Sequence, residues 1–181
     1  MFAVNSQLSV REIQMEDVDP IARYWTESDD AFMEGMGVDL SKLPTYDEMS
    51  GMLEMQLQQS YEDKMAYAVI WMIDGETIGH CNISPISFGK DAFIHLHLWN
   101  DEYRGKGFGT QLVKMSLPFF FDNCKLQKLL SEPYSINPAP SKTLEKVGFE
   151  FVKEYSTIPG NISFEQPVKR WELSLNKFRN S

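Results

Sequence analysis

Cysteine is scarce in this chain. Cys81 and Cys124 are the only two in 181 residues, and they stand too far apart to make a metal-ligand pair. Long apolar runs are also missing, and nothing approaches the ~18 residues a membrane helix needs, so no membrane partner is expected. The opening MFAVNSQLSVREIQ lacks a basic start, an apolar stretch and a small-residue cleavage site, which argues against an export signal. Together these absences point to a reduced, cytoplasmic setting. Positive charge is in deficit: 17 Lys and Arg stand against 26 Asp and Glu, a net charge of −9 with a pI near 4.8. Such a chain is a poor general binder of nucleic acid, whose phosphates require clustered cations. It attracts cationic small molecules or basic peptides instead. Internal repeats and low-complexity tracts are absent as well.

What is present is a substantial core. Apolar residues make up 43% of the chain and aromatic residues 13%, and the length suits a single domain over residues 1–181. LSVREI (8–13) alternates as a strand, and Asp17 stands where it would cap a helix running to about Trp25. Residues 29–44, rich in Met and Gly, read as irregular. Residues 45–60 read as an amphipathic helix opened by a capping box of Thr45 and Glu48. A strand over 66–73, a turn at Asp74–Gly75, a strand over 76–84, a turn at FGKD and a strand over 92–99 follow as hairpins. Residues 108–122 read as a helix that Pro118 should kink or shorten. A short strand over 127–132, a helix from Ser141 to Val147 stopped by Gly148, and strands over 149–155 and 168–176 complete the order. An α/β fold follows, with a mixed central sheet and helices on both faces. Trp171 and the last strand are placed to extend a partner's sheet, so a monomer or a homodimer is expected.

Between the third hairpin strand and the next helix lies YRGKGFGT (103–110), with Gly105, Gly107 and Gly109 at alternate positions beside Arg104 and Lys106. Bare backbone lets a ligand come close and aims successive N–H groups at it. The helix that follows adds partial positive charge at its N-terminus. Together these features suit a diphosphate. The P-loop spacing does not occur, and the dinucleotide fingerprint fails at its third glycine, where Thr110 stands. What remains is Arg104-x-x-Gly107-x-Gly109 at a strand-to-helix junction.

That segment resembles the R/Q-x-x-G-x-G/A signature of the GNAT N-acetyltransferase superfamily. Downstream, Asn137 and then LEKVGF (144–149) are similar to the N-x-x-S…LEKxGF segment of its RimJ/RimL-like branch. The resemblance spans residues 8–176 and implies a mostly antiparallel sheet with one splayed strand pair. It implies that acetyl-CoA binds through Arg104, Gly105, Lys106, Gly107, Phe108, Gly109 and Thr110, without a metal. A backbone N–H near Leu98 or Trp99 is then expected to meet the thioester carbonyl, with the acyl chain in the gap beside that strand. Asn137 is expected to bond the pantetheine arm or the loop backbone.

The implied reaction is direct attack of a primary amine, from a small molecule or a protein N-terminus, on the thioester. The amine must lose a proton, the carbonyl oxygen must meet a donor, and the thiolate leaves. Glu132, five residues before Asn137, matches by offset the glutamate proposed as base in RimI-like members. Beside Leu129 and Leu130 it can accept the proton through water. His95 and His97 are rivals: they share one strand face with Phe93 and Trp99, and the arylalkylamine branch carries a histidine pair on this strand. The chain departs from the family where many members carry a tyrosine acid, because Leu144 stands there, and Ser141 falls one position late. Tyr134 or water must then protonate the thiolate. Residues 28–46 are expected to cover the acceptor, with Asp29, Asp30, Glu34 and Asp39 beside Phe32, Met33 and Met36 suiting an ammonium group. Residues 157–166 form a second candidate lip. Two further readings stand beside the enzyme: an acyl-CoA-binding sensor without turnover, and a nucleotide binder, which fails on both phosphate motifs.

Overall fold

The computed structural model describes residues 6–181. The expectation about an export signal therefore falls partly on residues 1–5, outside the described residues. Among the described residues seven strands form: β1 (Leu8–Glu12), β2 (Tyr67–Ile73), β3 (Glu76–Ser87), β4 (Asp91–Leu98), β5 (Lys128–Ser131), β6 (Glu150–Thr157) and β7 (Gln166–Ser174). They join in one sheet in the order β1-β2-β3-β4-β5-β7-β6. The β4–β5 pair is parallel and every other pair antiparallel. The helices are α1 (Val18–Glu27), α2 (Asp30–Gly35), α3 (Tyr46–Gln58), α4 (Phe108–Asn123), α5 (Pro138–Val147) and α6 (Leu175–Arg179).

Alternation along the strands sends side chains to two cores. On one face Val69, Trp71, Ile94 and Leu129 pack with Leu112, Val113 and Phe120 of α4 and Leu144 of α5. On the other, Ala68 and Ile70 pack with Ile21 and Ala22 of α1 and Met49 and Leu53 of α3. Burying each large side chain contributes ~1.5–3 kcal/mol, and the indole N–H of Trp71 is satisfied inside the first core by Ser116 Oγ at 2.9 Å. Cys81 and Cys124 are buried free thiols. Among the described residues no helix is long and apolar enough to cross a membrane.

Several local expectations need correction. Residues 29–44 are not irregular: Asp29 caps α2 by accepting the Phe32 N–H at 3.0 Å, and a 3-10 turn follows at Leu40–Lys42. The Asp17 side chain does not cap α1. It accepts from the Arg11 guanidinium at 2.6 Å and the Gln14 N–H at 2.7 Å, which pins the 3-10 turn Met15–Asp17 in front of that helix. Helix α4 runs through Pro118 to Asn123, because Leu117, Phe120 and Phe121 are buried and packing offsets the lost hydrogen bond. Helix α5 opens at Pro138 rather than Ser141, with Asn137 as its cap and proline in the first turn. The last strand ends at Ser174, where α6 begins. Finally, β7 lies between β5 and β6, and Trp171 is buried with its indole N–H on Ser141 Oγ at 3.3 Å. Neither therefore lies on a free edge of this sheet, whose edge strands are β1 and β6.

Candidate active site

The site begins where the sheet opens. β4 and β5 pair only over Asp91–Phe93 and Lys128–Leu130. One further link, Ser131 Oγ–H to the Ile94 carbonyl at 3.1 Å, marks where they part. Beyond it, β4 continues to Leu98 with no strand on that side among the described residues. Peptide groups along a strand point alternately to its two neighbours. The Trp99 N–H donates to the Ile78 carbonyl of β3 at 3.0 Å, so it is turned away from the gap. The N–H of Leu98 therefore faces the gap, and of the two expected donors it is the one directed there. Gly79 pairs with Leu98 across β3–β4, at a point where a Cβ would meet the His97 carbonyl oxygen.

After β4, Asn100 caps a 3-10 turn over Asp101–Tyr103 and the glycine loop enters α4. Gly105 and Gly107 have φ of +72° and +82°, a left-handed conformation that glycine adopts readily. Gly107 is the N-cap of α4 and supplies no side chain to its first N–H groups, which include those of Phe108, Gly109 and Thr110. A Cβ at Gly105 or Gly107 would meet nothing within 4 Å, so the space before this helix end is open. Gly109 lies inside α4, 4.0 Å from Thr143 Oγ1 at a Cβ's position, and serves the α4–α5 approach as well. This is a cradle that fits a diphosphate. The side chain of Asn137 accepts the Ala139 N–H at 3.4 Å in the first turn of α5, so here it serves as that helix's cap. Arg104 lies elsewhere. Its Nη2 donates to the Leu98 carbonyl at 3.2 Å, its Nη1 pairs with Asp101, and its guanidinium lies 4.2 Å over the Phe32 ring.

Under α1 the histidines form a cluster that includes one the sequence reading left out. His80 of β3 faces His97 across the ladder, and the rings stack at 4.6 Å. The Trp99 indole N–H donates to His80 Nδ1 at 2.8 Å, so His80 carries its hydrogen on Nε2. His97 Nδ1 meets the Tyr24 hydroxyl at 3.1 Å, and Trp25 covers its edge at 4.9 Å. Burial pushes His80 down to about 3, and burial with the neighbouring imidazoles pushes His97 well below its ordinary value. Burial raises the Tyr24 hydroxyl, which stays protonated. His95 differs: its Nε2–H donates to the Ser84 carbonyl at 2.8 Å, which leaves Nδ1 as the lone-pair nitrogen. Burial lowers it, while the Ser84 carbonyl and the charge of Glu132 act the other way.

Glu132 lies at the end of β5 with its side chain only 7% exposed. One oxygen accepts from Arg170 Nη1 at 3.2 Å and from the Tyr155 hydroxyl. Arg170 is held in turn by Glu172 at 3.1 Å, and Glu172 by Lys128 at 2.8 Å. Arg170 and Tyr155 were not singled out in the sequence, where nothing local ties them to Glu132. Glu132, Phe93 and Pro85 line an open cleft of about 510 Å³ with residues 158–161. Tyr134 is not in this cleft. Its ring meets Phe164 at 5.6 Å, and both line a second cleft of about 680 Å³ with Glu34 and Asp39. The two expected lips are joined: Asp39 N–H donates to the Ile162 carbonyl at 2.7 Å, and Gln166 Nε2–H to the Gly37 carbonyl at 2.8 Å. Of the acceptor candidates, Glu34 and Asp39 line the second cleft, Asp29 caps α2, Asp30 is exposed in its first turn, and Phe32 lies under Arg104. Among the described residues no three His, Cys, Asp or Glu side chains are grouped to hold a metal ion.

Known proteins share this fold. The family described as Acetyltransferase (GNAT) domain matches residues 7–150. The SPbeta prophage-derived uncharacterized N-acetyltransferase YokL of Bacillus subtilis (strain 168) is 27% identical over 142 residues, 78% of this chain and 75% of that protein. The spermidine N-acetyltransferase of Vibrio cholerae, solved with CoA and spermine, superposes with a TM-score of 0.77 at 19% identity, over 96% of this chain and 99% of that one. The aminoglycoside acetyltransferase AAC(6')-Ib, solved with coenzyme A, gives 0.73 at 18% over 97% and 99%. The RimL ribosomal-protein acetyltransferase, also with coenzyme A, gives 0.77 at 12% over 97% and 98%. At such identities the three structures speak for the fold, and the family match carries the assignment. The chain belongs to the GNAT acetyltransferase family and is an acyltransferase.

Proposed function

We propose that the protein, as one catalytic domain over residues 1–181, moves the acetyl group of acetyl-CoA to a primary amine by direct attack in a ternary complex. The observation that carries this reading is the open N-terminus of α4, with no side chain capping it, beside the gap between β4 and β5. The amides of the loop and first turn, from Gly105, Gly107, Phe108, Gly109 and Thr110, hold the diphosphate with Lys106 beside them. The pantetheine arm enters the gap, and the Leu98 N–H stabilises charge growing on the thioester oxygen.

The amine first gives up a proton. Its lone pair attacks the carbonyl carbon, the C–S bond breaks, and the amide forms as the nitrogen passes its second proton through water to the departing thiolate. His95 receives the amine's proton on Nδ1, because the Ser84 carbonyl fixes its tautomer, and the Glu132 carboxylate balances the imidazolium. Tyr134, with Glu34 and Asp39, then belongs to the cleft that receives the cationic remainder of the acceptor. Spermidine and aminoglycosides, acceptors in the names of similar structures, keep further ammonium groups for such a cleft, while a protein N-terminus, the acceptor in another, offers the single ammonium that reacts. A place in the RimJ/RimL-like branch, a cytoplasmic location and a monomer or homodimer without nucleic-acid partners complete the reading.

The test is steady-state thiol release from acetyl-CoA across an amine panel spanning polyamines, aminoglycosides and peptide N-termini, with CoA binding followed by calorimetry. Turnover with at least one amine is expected. CoA binding without release for any amine would replace the reading with an acyl-CoA sensor, and absence of CoA binding would remove it.

A further inference from the structure

We infer that Arg104 serves the acceptor lip rather than the diphosphate, clamping Phe32 of α2 to the end of β4. The inference borrows only the word acceptor from the reading above. Three partners engage the guanidinium: the Leu98 carbonyl at 3.2 Å, the Asp101 carboxylate, and the face of Phe32 at 4.2 Å. Asp101 neutralises its charge, so a diphosphate arriving at α4 meets an ion pair there instead of a bare cation. The cradle itself is built from main-chain N–H groups at φ-positive glycines and a helix end, and none of that geometry depends on the Arg104 side chain.

What does depend on it is α2. This helix spans only six residues, Asp30–Gly35, too short to persist without tertiary support. Arg104 covers one side of Phe32, and the Tyr24 ring meets it edge-on at 6.3 Å. The Tyr24 hydroxyl reaches Met36 Sδ at 3.5 Å and His97 Nδ1 at 3.1 Å. The clamp therefore runs from the Leu98 carbonyl, on the gap side of β4, through a cation stacked on an aromatic face, into the lip that carries Glu34. A cation held against a ring and partly shielded from water is a stabilising contact of the kind a short helix needs. Phe32 becomes a positioning residue for the lip instead of a direct contact for the acceptor.

Hydrogen exchange read by mass spectrometry tests this without an identified amine. In Arg104→Leu and in Phe32→Leu, exchange of the α2 amides should rise about tenfold, while Phe32→Trp, which keeps an aromatic face, stays near wild type. CoA affinity, measured by calorimetry, should remain within about threefold of wild type in all three variants. Thermal unfolding checks that each variant folds, and the two Leu variants cover each other if one does not. Unchanged α2 exchange in the Leu variants would overturn the inference, as would loss of CoA affinity beyond that range in Arg104→Leu. If wild type itself failed to bind CoA, the proposed function would fall while the exchange arm still judged the clamp.

Discussion

Gly79→Ala probes the point where two strands are pressed together to aim one amide. Gly79 faces Leu98 across the β3–β4 ladder. A Cβ there would fall closer than 3.0 Å to the His97 carbonyl oxygen and 3.2 Å from Leu98 Cα. Both neighbours are main-chain atoms, so relief requires moving the end of β4 by on the order of 1 Å. The same movement swings the Leu98 N–H away from where the thioester oxygen must sit. Overpacking of this kind destabilises by ~1–3 kcal/mol, which for a chain of this size lowers Tm by roughly 3–10 °C. A displacement of ~1 Å at the reacting groups lowers the rate ~100-fold. Thiol release with a working amine should therefore fall by about two orders of magnitude. CoA affinity should change only a few-fold, because the diphosphate cradle lies at the start of α4. Wild-type Tm together with wild-type turnover would refute the reasoning, showing that β3 does not fix the direction of the Leu98 amide.

The remaining expectations concern the cradle and the imidazoles. Gly107→Val places a β-branched residue at φ +82° and fills the open space before α4; CoA affinity should fall ~100-fold or more, and an unchanged Kd by calorimetry would exclude the cradle. His95→Ala should lower kcat/KM by ~100-fold or more, against about tenfold for Glu132→Gln. Because the Glu132 charge raises His95, Glu132→Gln should also move the acidic limb of the rate profile to lower pH; the reverse order of losses would make Glu132 the base. His80 is neutral in the folded chain down to about 3 but titrates near ~6.5 unfolded, so the unfolded chain binds the extra proton between those values. Stability should then fall below pH ~6.5 by about 1 kcal/mol per pH unit from His80 alone. Thermal unfolding from pH 6.5 to 5 reads this, and His80→Gln should flatten the slope; an identical slope in the variant would contradict it.

The sequence exposed what is local and periodic. Alternation and turn residues located the strands, the capping box at Thr45 and Glu48 formed as expected, and the glycine loop announced the helix end that follows it. What stayed hidden depends on contacts between distant segments. His80 is the clearest case. Extending the Ser87–Asp91 pairing would place His80 opposite Leu98, but the register shifts between Ile83 and Ile86 and sets it against His97. The partners of Glu132 come from β7, which neighbours β5, and from β6 one strand beyond, chain-distant strands that only sheet order brings near it. Asp17 and Pro118 misled for a related reason. An arginine six residues earlier, in β1, claimed the carboxylate, and a buried apolar face carried α4 past a residue that would end an isolated helix. Arg104 lies inside the most telling motif of the chain, yet its side chain is committed to Phe32, whose position no local pattern reveals.

A crystal structure with bound acetyl-CoA is the most direct trial of how main chain alone builds this site. The diphosphate should lie within hydrogen-bonding distance of the amides that open α4, with the thioester oxygen on the Leu98 N–H between β4 and β5. A cofactor seated away from that helix end, or a thioester outside the gap, would contradict it.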